Sequence, residues 1–193
     1  LEPFLLVNEA FAGFGKRIGD AHADLETFIF ERFAGYLREQ GYSTLEVDSV
    51  LCLHPARFDL VPLQLAAVRA FQTLPEAESL AAANKRIANI LKQAAAKGES
   101  FRDADLHALE EPAERALFDA LRIASSSAKT LLERGDYTGY LKTFAIMKTP
   151  VDAFFDSVKV MVENEALRKN RLALLADLRE AMNRVADISR LAA

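Results

Sequence analysis

The sequence predicts an all-α protein, a bundle of about seven or eight helices joined by short connections. Only 8 of the 193 residues are glycine and 6 are proline. Together they make up about 7%, against a usual share of about 12%, so residues that break helices are scarce. Apolar residues recur three and four positions apart along most of the chain. No segment of four or more residues alternates between polar and apolar residues with the composition of a strand.

The first two predicted helices lie between Asp24 and Pro55. Helical spacing begins at Asp24, and Gly41 is expected to end this helix. One broad face is formed by Leu25, Phe28, Ile29, Arg32, Phe33 and Tyr36. Ser43 and Glu46 have the spacing of a capping box, which predicts that a short helix begins there. That helix is expected to end before Pro55, because the residue before a proline is disfavoured in the helical conformation.

The third and fourth helices are predicted on either side of Pro75. Asp59 is a candidate N-cap for the third helix, whose apolar stripe runs through Phe71. Pro75 suits the first turn of the fourth helix, whose stripe ends at Ala94. The polar and acidic stretch 98–111 has the composition of a loop.

Four further helices are predicted after this loop. Pro112 is expected at the first position of the fifth helix, and Asp136 is expected to cap the sixth. Thr149 and Pro150 are expected to be the cap and the first residue of the seventh. The eighth has a long apolar stripe formed by Leu172, Leu175, Leu178, Met182, Val185 and Ile188.

A boundary is expected near residue 23. Residues 1–23 contain apolar side chains without a clean period, so we expect a linker or a partial element there, followed by one helical domain over 24–193. The first residues contain no basic segment followed by an apolar one, so no signal peptide is expected. The single cysteine, Cys52, cannot form an internal disulfide, which favours a reducing compartment and therefore a cytoplasmic location.

Composition excludes several classes of protein. Hydrophobic residues make up 51% of the chain and charged residues 27%, which is not the composition of a disordered chain. No apolar run approaches the roughly 18 residues that a membrane span needs, so no membrane partner is expected. The net charge of −4 argues against a protein that coats nucleic acid without specificity, but it does not exclude a local basic patch.

No group of residues resembles an active site or a metal site. His22, His54 and His107 are far apart in the sequence and form no helical ligand pair, so neither a metal nor another cofactor is expected here. Asp152 and Asp156 could form an acid–base pair, but a solvated helix face explains their spacing equally well. This part of the molecule is therefore expected to be non-catalytic.

The most informative feature is the separation of charge between two neighbouring segments. Residues 84–97 contain four cations and no acid, whereas residues 99–119 contain seven acids and two arginines. Lys85, Asn89 and Lys92 share one face of the predicted helix, about 200° from its apolar stripe. Such a face suits contacts to phosphates and hydrogen bonds to base edges, and an ordinary solvated helix face is the alternative.

A second basic cluster is formed by Arg168, Lys169 and Arg171, in which the two arginines share a face. This cluster could bind RNA. It could equally form ion pairs within the protein, since Glu163 and Glu165 are adjacent in the sequence. The spacing alone does not separate the two interpretations.

Two segments have sequences specific enough to indicate a family: AAANKRIANIL (81–91) and VDAFFDSVKVMVENEALRKNRLALLADLREAMNRVADIS (151–189). They resemble the C-terminal region of the bacterial glycyl-tRNA synthetase beta subunit. FERFAGYLREQGY (30–42) and AFQTLPEAESL (70–80) fit the same family in the right order. The resemblance covers residues 24–191.

In that family the last helix begins at a D-A-L-R signature, which reads Glu165-Ala166-Leu167-Arg168 in this sequence. The resemblance implies an all-helical anticodon-binding domain, related to that of arginyl-tRNA synthetase, within glycine–tRNA ligase. It also implies that the alpha subunit of the enzyme uses ATP and glycine. The implied partners are the anticodon loop of glycine tRNA and the alpha subunit, in a holoenzyme of two alpha and two beta subunits, and DNA is not an expected partner.

Because glycine codons begin with two guanines, their anticodons end in two cytosines. A protein that reads them must stack unpaired bases and bond their Watson–Crick edges. Arg, Lys and Asn can donate to cytosine O2 and N3, and a carboxylate or amide oxygen can accept from N4. The expected tRNA-binding residues, in order of preference, are Lys85, Arg86 and Asn89, then Asn84 and Arg32, and last Arg168 and Arg171. The alternative function is a helical interaction module that docks on another subunit.

Overall fold

A computed structural model of the protein describes residues 2–14, 19, 21–101 and 104–192. Over these residues it contains nine α-helices, four short 3-10 turns and no strand, which confirms the all-α prediction. The helices are α1 (Pro3–Phe14), α2 (His22–Glu39), α3 (Thr44–Leu51), α4 (Val61–Gln72), α5 (Ala77–Ala96), α6 (Pro112–Glu133), α7 (Tyr137–Thr143), α8 (Lys148–Ser157) and α9 (Glu165–Met182).

Eight of these helices, α2 to α9, correspond to the eight expected after residue 23, and α1 lies in the preceding segment. The placement of a domain boundary near residue 23 stays a prediction. Helix α1 buries none of its residues, and α2 buries only Leu37. Two residues expected on the apolar face of α2, Phe28 and Tyr36, are exposed.

One core holds the remaining helices together. Helix α4 packs against α7, and α6 packs against α7 and α8. Helix α5 packs against α9 and against a C-terminal 3-10 turn, Ile188–Leu191, which also contacts α3. The largest side chains of this core are fully buried: Phe71, Phe144, Phe154, Leu37, Leu65, Leu80 and Ile87.

Several predicted helix boundaries are confirmed by their capping contacts. The Ser43 hydroxyl accepts a hydrogen bond from the Glu46 N–H at 3.2 Å, and the Glu46 carboxylate accepts one from the Ser43 N–H at 2.6 Å. Asp136 accepts from the Gly139 N–H at 2.8 Å at the start of α7. Gly41 follows α2 with φ of +88°, a conformation that glycine adopts without strain.

Four predicted boundaries are wrong. Pro75 precedes α5, which begins at Ala77, and does not lie in its first turn. Asp59 does not cap α4, because the Arg57 guanidinium binds its carboxylate and a 3-10 turn, Phe58–Leu60, leads into the helix. Thr149 and Pro150 lie inside the first turn of α8, which continues directly from a 3-10 turn and begins at Lys148.

The last helix is also shorter than its apolar stripe predicts. Helix α9 ends at Met182, because the Asn183 side chain accepts a hydrogen bond from the Ile188 N–H at 3.1 Å and turns the chain. Val185 and Ile188 are buried as expected, but they belong to the segment that follows the helix. A hydrophobic period therefore identified the buried residues correctly and the backbone conformation incorrectly.

The capping carboxylate of α3 also makes a long-range ion pair that depends on pH. Glu46 is almost fully buried and accepts a hydrogen bond from Arg69 of α4 at 2.8 Å. Burial by itself raises the pKa of this carboxyl, but hydrogen bonds from Arg69 and Ser43 outweigh burial and hold the pKa below its ordinary value of 4.5. Such a carboxyl adds stability that is fully present above pH about 4.5. This stability is lost as the pH falls through the lower pKa that Glu46 has in the folded protein.

We therefore expect the midpoint of urea unfolding to fall more for the wild type than for Glu46→Gln when the pH is lowered from about 6 to about 3. The glutamine cannot titrate, so its own loss of stability reports the other carboxyls. Equal losses in the two proteins would assign the acid sensitivity to carboxyls other than Glu46.

No helix formed by the described residues is long and apolar enough to cross a membrane. Within the same ranges, no group of three or more histidine, cysteine or acidic side chains is placed to hold a metal ion.

Candidate nucleic-acid interface

Helix α5 presents a row of basic and amide side chains to solvent. Lys85, Arg86, Asn89 and Lys92 are all exposed, whereas Ile87 on the opposite side is fully buried. The exposed set, Lys85, Arg86, Asn89 and Lys92, is called the basic face below. Its position agrees with the helical spacing, because residues three and four apart lie on the same side of a helix.

The two basic side chains at the start of this face are held by contacts with neighbouring elements. Lys85 donates a hydrogen bond to the Ala192 carbonyl at 3.3 Å, so the C-terminal segment lies beside α5. The Arg86 guanidinium lies over the Phe155 ring of α8, 4.1 Å from its centroid. This cation–π contact restrains the plane of the guanidinium but leaves its N–H groups able to donate to an RNA.

Asn84 does not belong to the basic face, which corrects its place among the expected tRNA-binding residues. It is completely buried, and its side-chain amide pairs with that of Asn183 through hydrogen bonds of 3.3 and 3.0 Å. Asn84 lies three residues before Ile87 and so shares the buried side of α5. Its amide connects α5 to the end of α9 and offers no surface to an RNA.

Arg168 and Arg171 are likewise occupied by the protein. Arg168 donates to the Glu99 carboxylate at 2.7 Å and to the Val162 carbonyl at 2.7 Å. Arg171 is buried, forms an ion pair with Glu114 of α6 and donates to the Lys159 carbonyl at 2.8 Å. Both serve the packing of α9, so the expectation that they bind tRNA is not supported by their position.

The acids that pair with these arginines are not the ones expected from proximity in the sequence. Glu163 and Glu165 are adjacent to the cluster, but Arg168 and Arg171 pair with Glu99 and Glu114. Of the cluster, Lys169 alone pairs with Glu165, four residues earlier on α9.

Arg32 lies in a different part of the molecule from the basic face. It is exposed on α2, with its guanidinium 5.2 Å from the centroid of the exposed Phe28 ring. Helix α2 packs against α1 and α3, whereas α5 packs against α4, α8, α9 and the C-terminal turn. Arg32 therefore does not extend the basic face.

A groove runs between α5 and α9 beside the basic face. This α5–α9 groove has a volume of about 790 Å³ and is lined by Ala88, Leu91, Lys92, Ala95, Phe101, Ala176, Arg179, Glu180, Asn183 and Arg184. Lys92 belongs to both the groove and the basic face. Clefts of 300–1,000 Å³ are typical of sites for small ligands.

The groove adds residues that the sequence analysis did not select: Arg179, Glu180 and Arg184. The only sequence signal for them is that Arg179 and Arg184 are cations at the end of the last helix, outside its apolar stripe. Their partner across the groove, Lys92, is 87 or more residues away in the chain. Only the folded chain brings these three cations together.

Comparison with known proteins agrees with the family resemblance of the sequence. The family described as the DALR anticodon binding domain matches residues 80–188. The chain is 57% identical over 189 residues to the glycine–tRNA ligase beta subunit of Thiobacillus denitrificans, an alignment that covers 97% of this chain and 27% of that protein. It is 53% identical over 191 residues to the beta subunit of Paracidovorax citrulli, with 97% and 26% covered. The chain thus spans about a quarter of the length of these curated relatives.

Proposed function

The chain belongs to the DALR anticodon-binding domain family, and from that premise we propose that it recognises the anticodon loop of glycine tRNA as part of a glycine–tRNA ligase beta subunit. The observation that carries this proposal is the exposed basic face of α5, which lies within the family match and borders the α5–α9 groove. A row of cations and amides on one helix can bind loop phosphates, and an adjoining groove can admit an unstacked base.

The remaining parts of the reaction are proposed to lie outside this chain. An alpha subunit uses ATP and glycine, and two alpha and two beta subunits form the holoenzyme, which acts in the cytoplasm. No DNA is bound. In this arrangement the chain contributes to specificity by holding the correct tRNA, and the aminoacylation chemistry takes place elsewhere.

Replacing either of the two anticodon cytosines that pair with the codon guanines should weaken tRNA binding to this chain by about 5- to 150-fold. This range corresponds to the about 1–3 kcal/mol by which a specific base contact discriminates against a wrong base. Fluorescence anisotropy titration of labelled glycine tRNA transcripts at a fixed salt concentration measures the effect. A glycine tRNA altered in the variable loop alone is the control. Equal affinity for the natural transcript, both anticodon variants and the control would exclude anticodon recognition.

The exposed apolar surface of α1 favours a second candidate function, docking on another subunit. Leu5, Leu6 and Phe14 are each more than half exposed, although apolar side chains of this size are usually buried. If docking is the main function, Leu5→Ser/Leu6→Ser should abolish assembly with the partner subunit and leave the affinity for tRNA unchanged.

A further inference from the structure

One residue of the α5–α9 groove, Arg179, has hydrogen-bonding capacity that the described residues do not use. The Nε–H of Arg179 is buried and has no acceptor among the described residues, while another guanidinium nitrogen of Arg179 contacts Asp187 at 3.3 Å. A buried donor without a partner costs free energy and calls for an explanation. Arg179 also lines the groove, so a ligand bound there would lie next to this guanidinium.

The charges around the groove favour an anionic ligand. Lys92, Arg179 and Arg184 line it together with the carboxylate of Glu180, and Asp187 pairs with Arg179, so cations outnumber acids by three to two. Arg184 is exposed and forms no ion pair with any described residue. Two of the three cations are arginines, whose planar fork of donors suits phosphate and base edges better than the point charge of a lysine.

The walls of the groove suit the flat face of a base. Three alanines, Ala88, Ala95 and Ala176, line it and leave room between the helices. Leu91 and the half-buried Phe101 supply apolar surface in the same groove. Aromatic and apolar side chains of this kind stack with unpaired bases.

Glu180 gives the groove an acceptor for a base edge, and Arg184 gives it donors. Glu180 lies in the last turn of α9 and Arg184 follows the end of that helix, and both line the groove. Cytosine presents an N4 amino donor next to the N3 and O2 acceptors, which matches a carboxylate beside a guanidinium. Uracil presents a carbonyl oxygen in place of the amino group, and this oxygen would face the Glu180 carboxylate.

We propose that the α5–α9 groove holds one unstacked cytosine nucleotide of the bound RNA. Glu180 accepts from the amino group, Arg184 donates to N3 and O2, and Lys92 and Arg179 neutralise the adjoining phosphate. This assignment rests on the proposed anticodon recognition, and it adds the position of the base and the residues that distinguish cytosine from uracil.

The test compares Glu180→Gln and Arg184→Gln by titration with two RNAs, the glycine tRNA transcript and the same transcript with one anticodon cytosine replaced by uracil. Glutamine can donate to the uracil oxygen, so Glu180→Gln should reduce the preference for cytosine from roughly tenfold to less than about twofold at one of the two anticodon positions. Arg184→Gln should weaken binding of the natural transcript by roughly tenfold, and Arg184→Lys should recover only part of that loss.

Two matched variants on α6 control for charge alone. Asp119→Asn and Arg122→Gln remove one charge of each sign from exposed positions outside the groove. Both should change the affinity by less than about twofold, because exposed charges distant from the ligand are screened by salt. Unfolding midpoints should agree among all the variants, because Glu180 and Arg184 are both exposed.

The outcomes separate this inference from the function on which it rests. If the wild type prefers cytosine and Glu180→Gln keeps the full preference at both positions, the groove is not the cytosine site, and anticodon recognition stands. If the wild type shows no preference, anticodon recognition itself fails, and this inference fails with it. If Arg184→Gln loses partner-subunit assembly while tRNA affinity is unchanged, the groove is a protein contact and the inference is overturned.

Discussion

Glu114→Ala is expected to lower the free energy of unfolding by about 3–5 kcal/mol, the cost of breaking a buried ion pair by removing one partner. The Glu114 carboxylate is fully buried, and the Arg171 side chain that it binds is 5% exposed. The same carboxylate accepts hydrogen bonds from the backbone N–H groups of Glu110 and Glu111 at 2.7 and 2.8 Å. The substitution therefore leaves one buried cation and two backbone donors without their partner.

Urea unfolding followed by circular dichroism measures this loss. The matched control is Glu165→Ala, which removes the carboxylate of the exposed pair with Lys169 and should cost far less stability, because solvent screens exposed ion pairs. A loss below about 1 kcal/mol for Glu114→Ala would contradict the expectation and mean that water replaces the carboxylate around Arg171.

The double variant Glu114→Leu/Arg171→Met separates charge from packing at the same position. Buried ion pairs can often be replaced by apolar residues of similar volume with little loss of stability. We expect the double variant to recover more than half of the loss caused by Glu114→Ala. It should not recover all of it, because the Lys159 carbonyl loses the hydrogen bond from Arg171.

This ion pair has a functional consequence because it positions α9. Arg171 connects α9 to α6 through Glu114 and to the segment before α9 through Lys159. The other end of α9 carries Arg179 and Glu180, which line the α5–α9 groove. A loss of the pair should therefore weaken RNA binding indirectly. The conservative variant Arg171→Lys keeps a cation at this position, so it should retain part of both the stability and the RNA affinity of the wild type.

Local patterns predicted the helices and two of their four expected N-caps. The capping box of Ser43 and Glu46 and the cap at Asp136 depend on residues three apart, so the sequence contains all the information that they need. The exposure of Lys85, Asn89 and Lys92 follows from helical spacing in the same way.

Contacts between distant segments could not be predicted by such patterns. The partner of Asn84 is Asn183, and the partner of Arg171 is Glu114, at separations of 99 and 57 residues. A polar side chain on a predicted helix is ordinarily exposed, so both residues were expected to bind RNA. Their burial is a tertiary effect, in which each finds a polar partner that offsets the cost of desolvation.

The helix spacing and the family resemblance contributed different things. Spacing placed the basic face on α5 but by itself favoured an ordinary solvated surface over a binding site. The amino-acid sequence of the last helices indicated the anticodon-binding family, to which the chain belongs. Neither identified the α5–α9 groove, because its two walls come from helices that are far apart in the chain.

Reversing two charges of the basic face, in Lys85→Glu/Arg86→Glu, is expected to weaken binding of glycine tRNA by about 100-fold, or roughly tenfold for each reversed charge. Both side chains are exposed, so the fold should tolerate the change. The loss of the Arg86 contact with Phe155 should cost about 1 kcal/mol or less of stability.

The dependence of binding on salt provides a second readout for the same variant. Each phosphate contact to a single strand contributes about −0.7 to the slope of log K against log salt concentration, so losing two contacts should make the slope shallower by about 1.4. The control Arg122→Glu/Lys142→Glu makes the same change in net charge at exposed positions on α6 and α7. It should weaken binding only slightly and leave the slope unchanged.

A shallower slope that appears only in the α5 variant would locate the RNA backbone on the basic face, because net charge is identical in the two variants. Equal losses in both would mean that overall charge, and not this surface, attracts the RNA. Retained tRNA affinity in Lys85→Glu/Arg86→Glu together with failed assembly on the partner subunit would favour the docking module. The charge reversal tests RNA binding at α5, and Leu5→Ser/Leu6→Ser tests docking through the exposed apolar residues of α1, so the two variants together separate the two functions.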